Sequence, residues 1–483
     1  MLKIYNSLGR KVQTFKSNHP LQVGMYTCGP TVYSFAHIGN FRTYTTADLL
    51  VRTLQYNGYT VDHIMNLTDV GHLTGDNAGD ADLGEDRMEK AAKSEGKTAR
   101  EIADFYADVF ISDFEKLNLQ KPRKFAKATD HIKEQIDLIK RLQAKGFAYL
   151  TSDGVYFNTA KFPKYGELSN LDQIKEGARV EKNPEKKNER DFALWKFSYP
   201  GGRPFDPNLD DAATRRQMEW KSPWGKGFPG WHIECSAMSM KYLGESFDIH
   251  TGGTDLRETH HPNEIAQAEA ATGKKFVNYW VHGAFILVNG ERMSKSKGNL
   301  YTVYDLEKEN YDPLALRYLY LQTHYRQEMN FSFPALDAAQ NAYKKLVIDI
   351  SRWQDPMFDT RTVSVEVMKE YETRFLDAIN DDLNTSKALA VMWELVKADI
   401  PTGAKTRTLF KMDTVLGLNL QELSMKLRQV QGVVPGQIQK LVEERQMLRK
   451  QKHFNAADQI RAQIEKLGYE VEDTVKGMKV RKK

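Results

Sequence analysis

The chain has 483 residues, of which 41% are hydrophobic and 11% aromatic, and its formal net charge is +5. At roughly 150 residues per domain, this length predicts about three domains. No run of about 18 apolar residues predicts a membrane span, and the first residues turn polar too soon for a signal peptide, so we expect a cytoplasmic protein without membrane contact. Two cysteines, Cys28 and Cys235, exclude a disulfide framework and leave metal ligation, nucleophilic chemistry or buried packing as options.

The positive charge is concentrated at the C-terminal end. Residues 436–483 hold 12 Lys and Arg against 7 Asp and Glu, so this segment alone carries the net charge of the whole chain. Such a segment indicates contacts with nucleic-acid phosphates, or it is simply a solvated basic tail. Charge alone leaves both interpretations open.

The first structural unit in chain order is a predicted βαβ unit. A strand over residues 23–28, a helix from about Asn40 and a strand over 59–67 follow from the apolar spacing. Such a unit predicts a parallel sheet whose ligand crevice lies beyond the carboxyl ends of its strands. Cys28 and His37 fall at that edge.

A second alternation of strands and helices follows after a polar stretch, from about 120 to 220, that predicts an insertion into one nucleotide-binding fold. Its predicted elements are a strand over 247–250, a helix from about Asn263, and strands over 279–281 and 285–288. Asn289 and Gly290 predict a tight turn that leads into a polar loop around Lys295.

From about residue 330 the apolar spacing becomes helical and predicts a bundle. The residues predicted to face its core include Leu336, Ala339, Tyr343, Leu346, Ile350, Tyr371, Phe375, Ile379, Leu389, Met392 and Val396. Thr385 is the predicted N-cap of one of its helices. After a linker over 432–436 we expect two helices, the second with Leu467 on its apolar face, and a hairpin over 469–480.

The predicted fold class is therefore α/β, with a Rossmann-type catalytic domain that carries a connective insertion, then a helical bundle, then a small α+β domain. The predicted boundaries are 1–125 and 191–310 for the two Rossmann halves, 126–190 for the insertion, 311–425 for the bundle and 436–483 for the small basic domain.

His37 and the later loop have the chemistry of a phosphate site. A histidine at a helix start lies beside free N–H groups and the positive end of the helix dipole, where it can stabilise charge on an α-phosphate. The loop that holds Lys295 would bring mobile cations to the further phosphates of a bound nucleotide. The alternative is an ordinary surface loop, against which the upstream His37 and the surrounding αβ pattern argue.

Cys28, Cys235, His260 and Glu264 form a candidate metal set. His260 and Glu264 are one helical turn apart and therefore neighbours on one face. Two thiolates, an imidazole and a carboxylate are credible zinc ligands. Because the four residues are scattered along the chain, their spacing does not exclude the alternative that no metal is bound. In that case Cys28 and Cys235 are small buried core residues, and His260 and Glu264 lie at an exposed helix start.

Several motifs together resemble the cysteinyl-tRNA synthetase family of class I aminoacyl-tRNA synthetases, whose nucleotide signatures are usually written HIGH and KMSKS. They are residues 28–33, 37–40, 191–196, 230–238, 252–255, 260–264 and 292–299. Asn40 stands in place of the second His of the first signature, and Arg292 replaces the first Lys of the second. The segments 71–76 and 257–262 also differ from the residues that are commoner in the family. These differences affect what we expect of the residues around the amino-acid pocket, and they do not affect the expected reaction.

The resemblance implies an enzyme that activates L-cysteine with ATP and Mg²⁺ and transfers it to tRNA(Cys), with one zinc ion per chain selecting the substrate thiolate. It implies a monomer whose helical bundle and basic tail read the anticodon. The implied zinc ligands are Cys28, Cys235, His260 and Glu264. The implied catalytic residues are His37, Asn40 and Lys295, with Asp255 and Arg292 added as ATP contacts. Thr68 and Trp231 are candidates for the cysteine pocket, although core packing explains either residue equally well.

Zinc would solve a problem of selection. Cysteine and serine differ by one atom, which pocket size or hydrogen bonding distinguishes only weakly, whereas a soft thiolate is a far better zinc ligand than a hydroxyl. Two alternatives remain from the residues: a cysteine ligase of thiol biosynthesis, which residues 330–483 argue against, and a catalytically inactive RNA-binding paralogue, which the intact His37 and Lys295 argue against.

Overall fold

The computed structural model describes residues 1–71, 86–169, 183–210, 215–294, 297–353, 365–432, 436–451, 453–474 and 477–482. Among these residues, no helix combines the length and the apolar character that crossing a membrane requires.

The N-terminal part contains the predicted βαβ unit. Its elements are β1 (Lys3–Asn6), β2 (Lys11–Thr14), β3 (Gln22–Thr27), α1 (Ile38–Tyr56), β4 (Thr60–Leu67), α2 (Arg87–Glu95), α3 (Ala99–Lys116) and β5 (Lys124–Lys127). β1 and β2 form an antiparallel hairpin, whereas β3, β4 and β5 are parallel neighbours. The two predicted strands are therefore confirmed, and the helix between them begins at Ile38, two residues earlier than predicted.

The next elements form an antiparallel layer. They are α4 (Ile132–Ala144), β6 (Ala148–Thr151), β7 (Gly154–Phe157), β8 (Phe192–Phe197), β9 (Trp220–Lys221) and β10 (Lys226–Pro229), with strand order β6-β7-β8-β10-β9. This sheet has strands on both sides of residue 190, where we predicted the insertion to end. The apolar run 192–197 resembles a central parallel strand in sequence, but it pairs antiparallel with β7.

The second half of the nucleotide fold completes the parallel sheet. Its elements are α5 (Trp231–Leu243), β11 (Phe247–Gly253), α6 (His260–Thr272) and β12 (Val277–Gly283). The strand order is β12-β11-β3-β4-β5, so β11 lies directly beside β3 and the two halves share one sheet. The predicted start of α6 at Asn263 was wrong, because the helix begins at His260 and tolerates Pro262 in its first turn.

The following elements are β13 (Ile286–Val288), β14 (Glu291–Arg292), α7 (Val303–Lys308), α8 (Pro313–Leu321) and β15 (Met329–Phe331). The predicted tight turn is confirmed, since β13 and β14 pair antiparallel across Asn289 and Gly290, whose φ angles are 51° and 82°. Two positive φ values in succession are typical of a type I′ turn.

The helical bundle comprises α9 (Phe333–Arg352), α10 (Val365–Asn380), α11 (Thr385–Lys397), α12 (Thr402–Leu416) and α13 (Leu420–Gly432). The predicted inward residues of α9 and α11 are all buried. The predicted cap was one residue late, because the Asn384 side chain, not that of Thr385, accepts a hydrogen bond from the Lys387 amide. An Asn side chain caps as well as a Thr side chain, so sequence did not distinguish them.

The last unit consists of α14 (Gly436–Lys450), α15 (Phe454–Lys466), β16 (Tyr469–Thr474) and β17 (Gly477–Lys482). The predicted hairpin is confirmed, although its turn at 475–476 lies outside the described residues. Ile438, Ile460, Ile464 and Val471 form its small core. Leu467 was predicted on the apolar face, but it follows the last helical residue and is exposed.

A buried ion cluster joins the nucleotide fold to the bundle. Asp48 of α1 accepts hydrogen bonds from Arg52, at 2.8 Å, and from Arg317 of α8, at 2.5 Å. Arg317 also donates to the carbonyl oxygen of Leu416 at the end of α12. The cluster therefore ties the helix that begins at the nucleotide motif to both α8 and α12.

Candidate active site

The candidate site lies at the carboxyl edge of the parallel sheet. Cys28 follows the last residue of β3, and Thr68 follows the last residue of β4. Gly29 allows these strand ends to approach closely, because a Cβ at this position would overlap the carbonyl oxygen of Asn66. The Gly29 amide donates to Asn66 Oδ1 at 2.8 Å. This packing sets Cys28 and Thr68 side by side.

The four predicted metal ligands are brought together and fully buried. The Cys28 and Cys235 sulfur atoms are 3.8 Å apart, and Cys28 Sγ is 3.7 Å from Glu264 Oε1. His260 Nε2 lies 3.0 Å from the same carboxylate oxygen, one turn away on α6. All four donor atoms lie within 4.8 Å of one another.

These distances fit a tetrahedral zinc ion. Two thiolates that each bind zinc at about 2.3 Å lie about 3.8 Å apart, and a nitrogen and an oxygen at about 2.0–2.1 Å lie about 3.3 Å apart. The observed separations are 3.8 Å between the sulfurs and 3.0 Å between His260 and Glu264. The donor chemistry and the spacing both suit the metal.

A layer of further histidines orients these donors. His232 Nδ1 is 3.0 Å from His260 Nδ1, which leaves His260 Nε2 directed at Glu264. His250 Nε2 is 2.8 Å from the other oxygen of Glu264. Metal ligands are commonly held by such hydrogen bonds through their second atom. The arrangement therefore orients the donors of both His260 and Glu264.

The pKa values show that this pocket favours a cation. Burial lowers the pKa of His260, but Glu264 and Cys235 outweigh it and raise that pKa to about 10. Burial raises the pKa of Cys235, but hydrogen bonds from Cys28 and His260 lower it to about 7. Burial, Cys235 and Glu264 together raise the pKa of Cys28. Glu264 and Cys235 thus favour a positive charge beside them in this buried pocket, as the raised pKa of His260 shows.

A second set of donors shares two members with the first. Cys28, His250, His261 and Glu264 also place one donor atom each within 4.8 Å of one another. The set with two sulfur atoms offers softer ligands, which zinc accepts readily.

The nucleotide turn is built around the start of α1. Asn40 donates its backbone N–H to His37 Nδ1 at 3.2 Å, and His37 donates its backbone N–H to Asn40 Oδ1 at 3.0 Å. This reciprocal capping box explains an Asn at the fourth position of the motif. Because Nδ1 accepts, the proton of a neutral His37 lies on Nε2, which becomes a donor. The space around Gly39 is tight, since a Cβ there would lie 2.5 Å from Met293 Cε and 3.0 Å from the His37 ring.

The described part of the second motif packs against the first. Met293 Cε would be 2.5 Å from a Cβ on Gly39, so the two segments are in contact. The Arg292 guanidinium lies 5.3 Å from the centre of the Phe285 ring, and its side chain is exposed. Lys295 lies outside the described residues. Arg292 therefore adjoins Met293, the residue that packs against the nucleotide turn.

Three other predicted residues lie along the same edge. Asp255 follows β11 and is exposed, with its carboxylate folded over Gly253. The Trp231 ring is 4.3 Å from the His260 ring and partly exposed, so it borders the metal cluster. The Thr68 hydroxyl is buried, where it donates to Glu234 Oε2 at 3.0 Å and accepts from Asn66. Thr68 thus holds Glu234.

Sequence reasoning missed the residues behind the cluster. His232, His250, His261 and Glu234 are buried and contact the predicted ligands or the predicted pocket. The signal available was composition, because 12 histidines are in the chain and several adjoin the predicted ligands in sequence. Only the packing of α5 against α6 shows which of them converge.

The fold and the paired nucleotide motifs define a class I aminoacyl-tRNA synthetase. The family "tRNA synthetases class I (C) catalytic domain" matches residues 14–341, the "DALR domain" matches 374–398, and the "Cysteinyl-tRNA ligase anticodon binding domain" matches 432–481. Methionyl-tRNA synthetase of Mycobacterium tuberculosis, solved with methionyl-adenylate, superposes with a TM-score of 0.56. The superposition covers 84% of this chain and 92% of that chain, at 16% identity, and shows a shared fold.

The chain belongs to the cysteine–tRNA ligase family. The cysteine–tRNA ligase of Treponema denticola is 42% identical, with 98% of each chain covered. Cysteine–tRNA ligase 1 of Burkholderia lata is 45% identical over 99% of this chain and 96% of its own length, and the enzyme of Thermococcus gammatolerans is 39% identical over 99% and 98%. These relatives do not support a cysteine ligase of thiol biosynthesis or a catalytically inactive RNA-binding paralogue.

Proposed function

We propose that the chain activates L-cysteine with ATP and Mg²⁺ and then charges tRNA(Cys). In the first step the cysteine carboxylate attacks the α-phosphorus, and the bond to pyrophosphate breaks, which leaves cysteinyl-adenylate. In the second step the terminal 2′-hydroxyl of the tRNA attacks the carbonyl carbon, and AMP leaves. The observation that carries this proposal is the buried Cys28, Cys235, His260 and Glu264 cluster at the same sheet edge as the His37 turn.

His37 and Asn40 would act on the α-phosphate. Since His37 Nδ1 accepts the Asn40 amide, the proton of the neutral ring lies on Nε2, which could donate it to a phosphate oxygen. The α1 N-terminus adds its dipole at the point where negative charge develops. Arg292 and Lys295 would neutralise the leaving pyrophosphate, and Asp255 would contact the nucleotide from the opposite side of the crevice. Positioning and charge stabilisation thus drive the reaction without a covalent enzyme intermediate.

We further propose that Cys28, Cys235, His260 and Glu264 hold one zinc ion per chain. Zinc bound there would supply a soft Lewis-acid position that accepts a thiolate far better than a hydroxyl. His232 would hold the ring of His260 in place. Because four protein donors normally make a closed site, the substrate sulfur must add to the set or displace one donor.

The two pocket candidates receive different roles. Trp231 borders the cluster with a partly exposed ring, which suits the wall of a small-amino-acid pocket. Thr68 would act indirectly, because its hydroxyl donates to Glu234 and accepts from Asn66. We therefore assign Thr68 as a positioning residue for Glu234.

Binding of tRNA would use the rest of the chain. The insertion over 126–190 would guide the acceptor end, and the bundle over 311–425 with the basic segment over 436–483 would read the anticodon. The domain boundaries, the cytoplasmic location and the monomeric state stay predictions.

The test is ATP–pyrophosphate exchange by zinc-analysed protein, with L-cysteine and L-serine compared side by side. We expect exchange with cysteine alone and about one zinc per chain. Cys235→Ser should abolish both the zinc and the exchange. Met238→Leu, a buried residue on the same helix, controls for packing and should retain both. Equal exchange with serine would contradict metal-based selection, and no exchange with cysteine would contradict the proposed activity.

A further inference from the structure

A group of aromatic side chains, the exposed Phe35 and Phe105 and the half-buried Tyr106, lies outside the site described above, and we call it the rim patch. Phe35 is 44% exposed and Phe105 is 43% exposed. The ring centres are 5.0 Å apart for Phe35 and Tyr106 and 5.1 Å apart for Phe105 and Tyr106, both in edge-to-face geometry. An exposed aromatic cluster at a cleft is characteristic of a binding surface.

The rim patch lies beside the crevice. Phe35 precedes His37 by two residues in the loop between β3 and α1. Phe105 and Tyr106 lie on α3, next to Asp104, which pairs with Lys127 at the carboxyl end of β5, at 2.6 Å. All three rings therefore stand at the edge of the sheet where the nucleotide turn is found.

The start of α3 also contacts the segment before β9. The Ala99 amide at the start of α3 donates to Gln217 Oε1 at 2.8 Å. Gln217 in turn donates its backbone N–H to Glu89 of α2 at 2.7 Å. Phe105 and Tyr106 thus lie on a helix whose start contacts the segment that leads into β9.

The chemistry of the rim patch favours unstacked nucleotides over an apolar peptide. Lys97 Nζ lies 4.8 Å from the centre of the Phe105 ring. Outside the patch, the Arg87 guanidinium lies 5.6 Å from the centre of the Tyr33 ring, two residues before Phe35 in the chain. Lys97 Nζ also forms an ion pair with Glu95 Oε2, at 3.0 Å, so charges of both signs lie beside the patch. Rings flanked by cations provide a stacking surface for bases with positive charge for phosphates.

We propose that the rim patch stacks the unpaired nucleotides at the 3′ end of tRNA as they enter the crevice. The inference rests on the proposed function, because transfer requires the RNA end to reach the adenylate beside His37. Stacking at the rim would lower the free energy of the bound RNA end without affecting amino-acid activation.

The first test separates activation from transfer in the double variant Phe35→Ala/Phe105→Ala. Exchange of pyrophosphate into ATP, measured without tRNA, should stay within about twofold of the wild type. The kcat/KM for tRNA charging should fall by about tenfold or more, because the RNA end loses the rings on which its bases stack. Phe35→Trp should retain charging. Val12→Ala, an equally exposed apolar position on the β1–β2 hairpin, should change neither rate.

A second readout does not depend on catalysis. A hairpin RNA whose unpaired 3′ end carries 2-aminopurine should lose fluorescence on binding to the wild type, because stacking quenches this base. Loss of that quenching in the double alanine variant supports the inference, and quenching equal to the wild type overturns it. These outcomes apply even if the wild type shows no exchange, a result that would count against the proposed function alone. Unchanged kcat/KM for tRNA charging in the double variant would also overturn the inference.

Discussion

Asp48→Asn is the substitution that tests most directly how the nucleotide fold is joined to the helical bundle. Asp48 is buried and is the carboxylate partner of both Arg52 and Arg317. Arg317 has no exposed side-chain surface. Replacing the carboxylate by an amide would leave one or two guanidinium groups buried without a counter-charge.

The expected cost is large because the charges cannot reach water. Removing one partner of a buried ion pair costs about 3–5 kcal/mol. At about 2–4 °C per kcal/mol for a unit of 150–250 residues, the unfolding transition that includes α1 and α8 should fall by about 6–20 °C. Asp349→Asn provides the control, since it breaks the exposed Lys345–Asp349 pair of α9 and should shift the transition by less than about 2 °C.

The effect should also depend on pH. Burial would raise the pKa of Asp48, but Arg317, Arg52 and the Gln120 amide outweigh burial and lower it. A carboxylate with a lowered native pKa stabilises the fold fully above its unfolded pKa of about 4, and this contribution is lost as the pH falls through the native value. The difference in unfolding midpoint between wild type and Asp48→Asn should be largest at pH 7 and should shrink below about pH 4. A variant that melts within about 2 °C of wild type at pH 7 would refute the reasoning.

Three further predictions concern the sheet and the site. Burial lowers the pKa of His63 to about 4, so the folded chain keeps His63 neutral while the unfolded chain protonates it. His63→Gln should therefore weaken the loss of stability that occurs as the pH falls from 6.5 to 4.5. An unchanged pH profile of the unfolding midpoint would contradict this prediction. Gly39→Ala should reduce ATP–pyrophosphate exchange by about 10- to 100-fold, because the new Cβ displaces the His37 ring; exchange near the wild-type rate would show that the ring is not needed there. Thr68→Val should raise KM for cysteine about tenfold with zinc content unchanged, because Glu234 loses the buried hydrogen bond that the Thr68 hydroxyl donates. Loss of zinc would instead mean that Thr68 supports the metal cluster.

Much of the fold could be predicted from periodicity. The βαβ unit, the Asn289-Gly290 turn and the inward face of α9 follow from spacing that local backbone geometry enforces. The helix α5 was not predicted, because it is buried on nearly every side and has no polar face that would produce a helical period. The antiparallel pairing of β8 could not be predicted, because an apolar run does not show whether its partners are parallel.

The candidate site could be predicted only in part. Cys28 and His37 follow from their position at a strand end and a helix start, and the pairing of His260 with Glu264 follows from one helical turn. Cys235 is brought to these residues only by the packing of α5 against α6, which residue spacing does not reveal. Its place among the metal ligands was predicted from the resemblance to the family. The role of Thr68 could not be predicted, because hydrogen bonds between residues 166 positions apart depend on the tertiary fold.

The most direct test of the metal account is cobalt substitution followed by absorption spectroscopy during titration with L-cysteine and L-serine. The account predicts one cobalt per chain and a thiolate-to-metal charge-transfer band from Cys28 and Cys235 that grows when L-cysteine is added and does not change with L-serine. A band that is identical with and without L-cysteine would contradict binding of the substrate thiolate at the metal and would make the cluster a closed structural site.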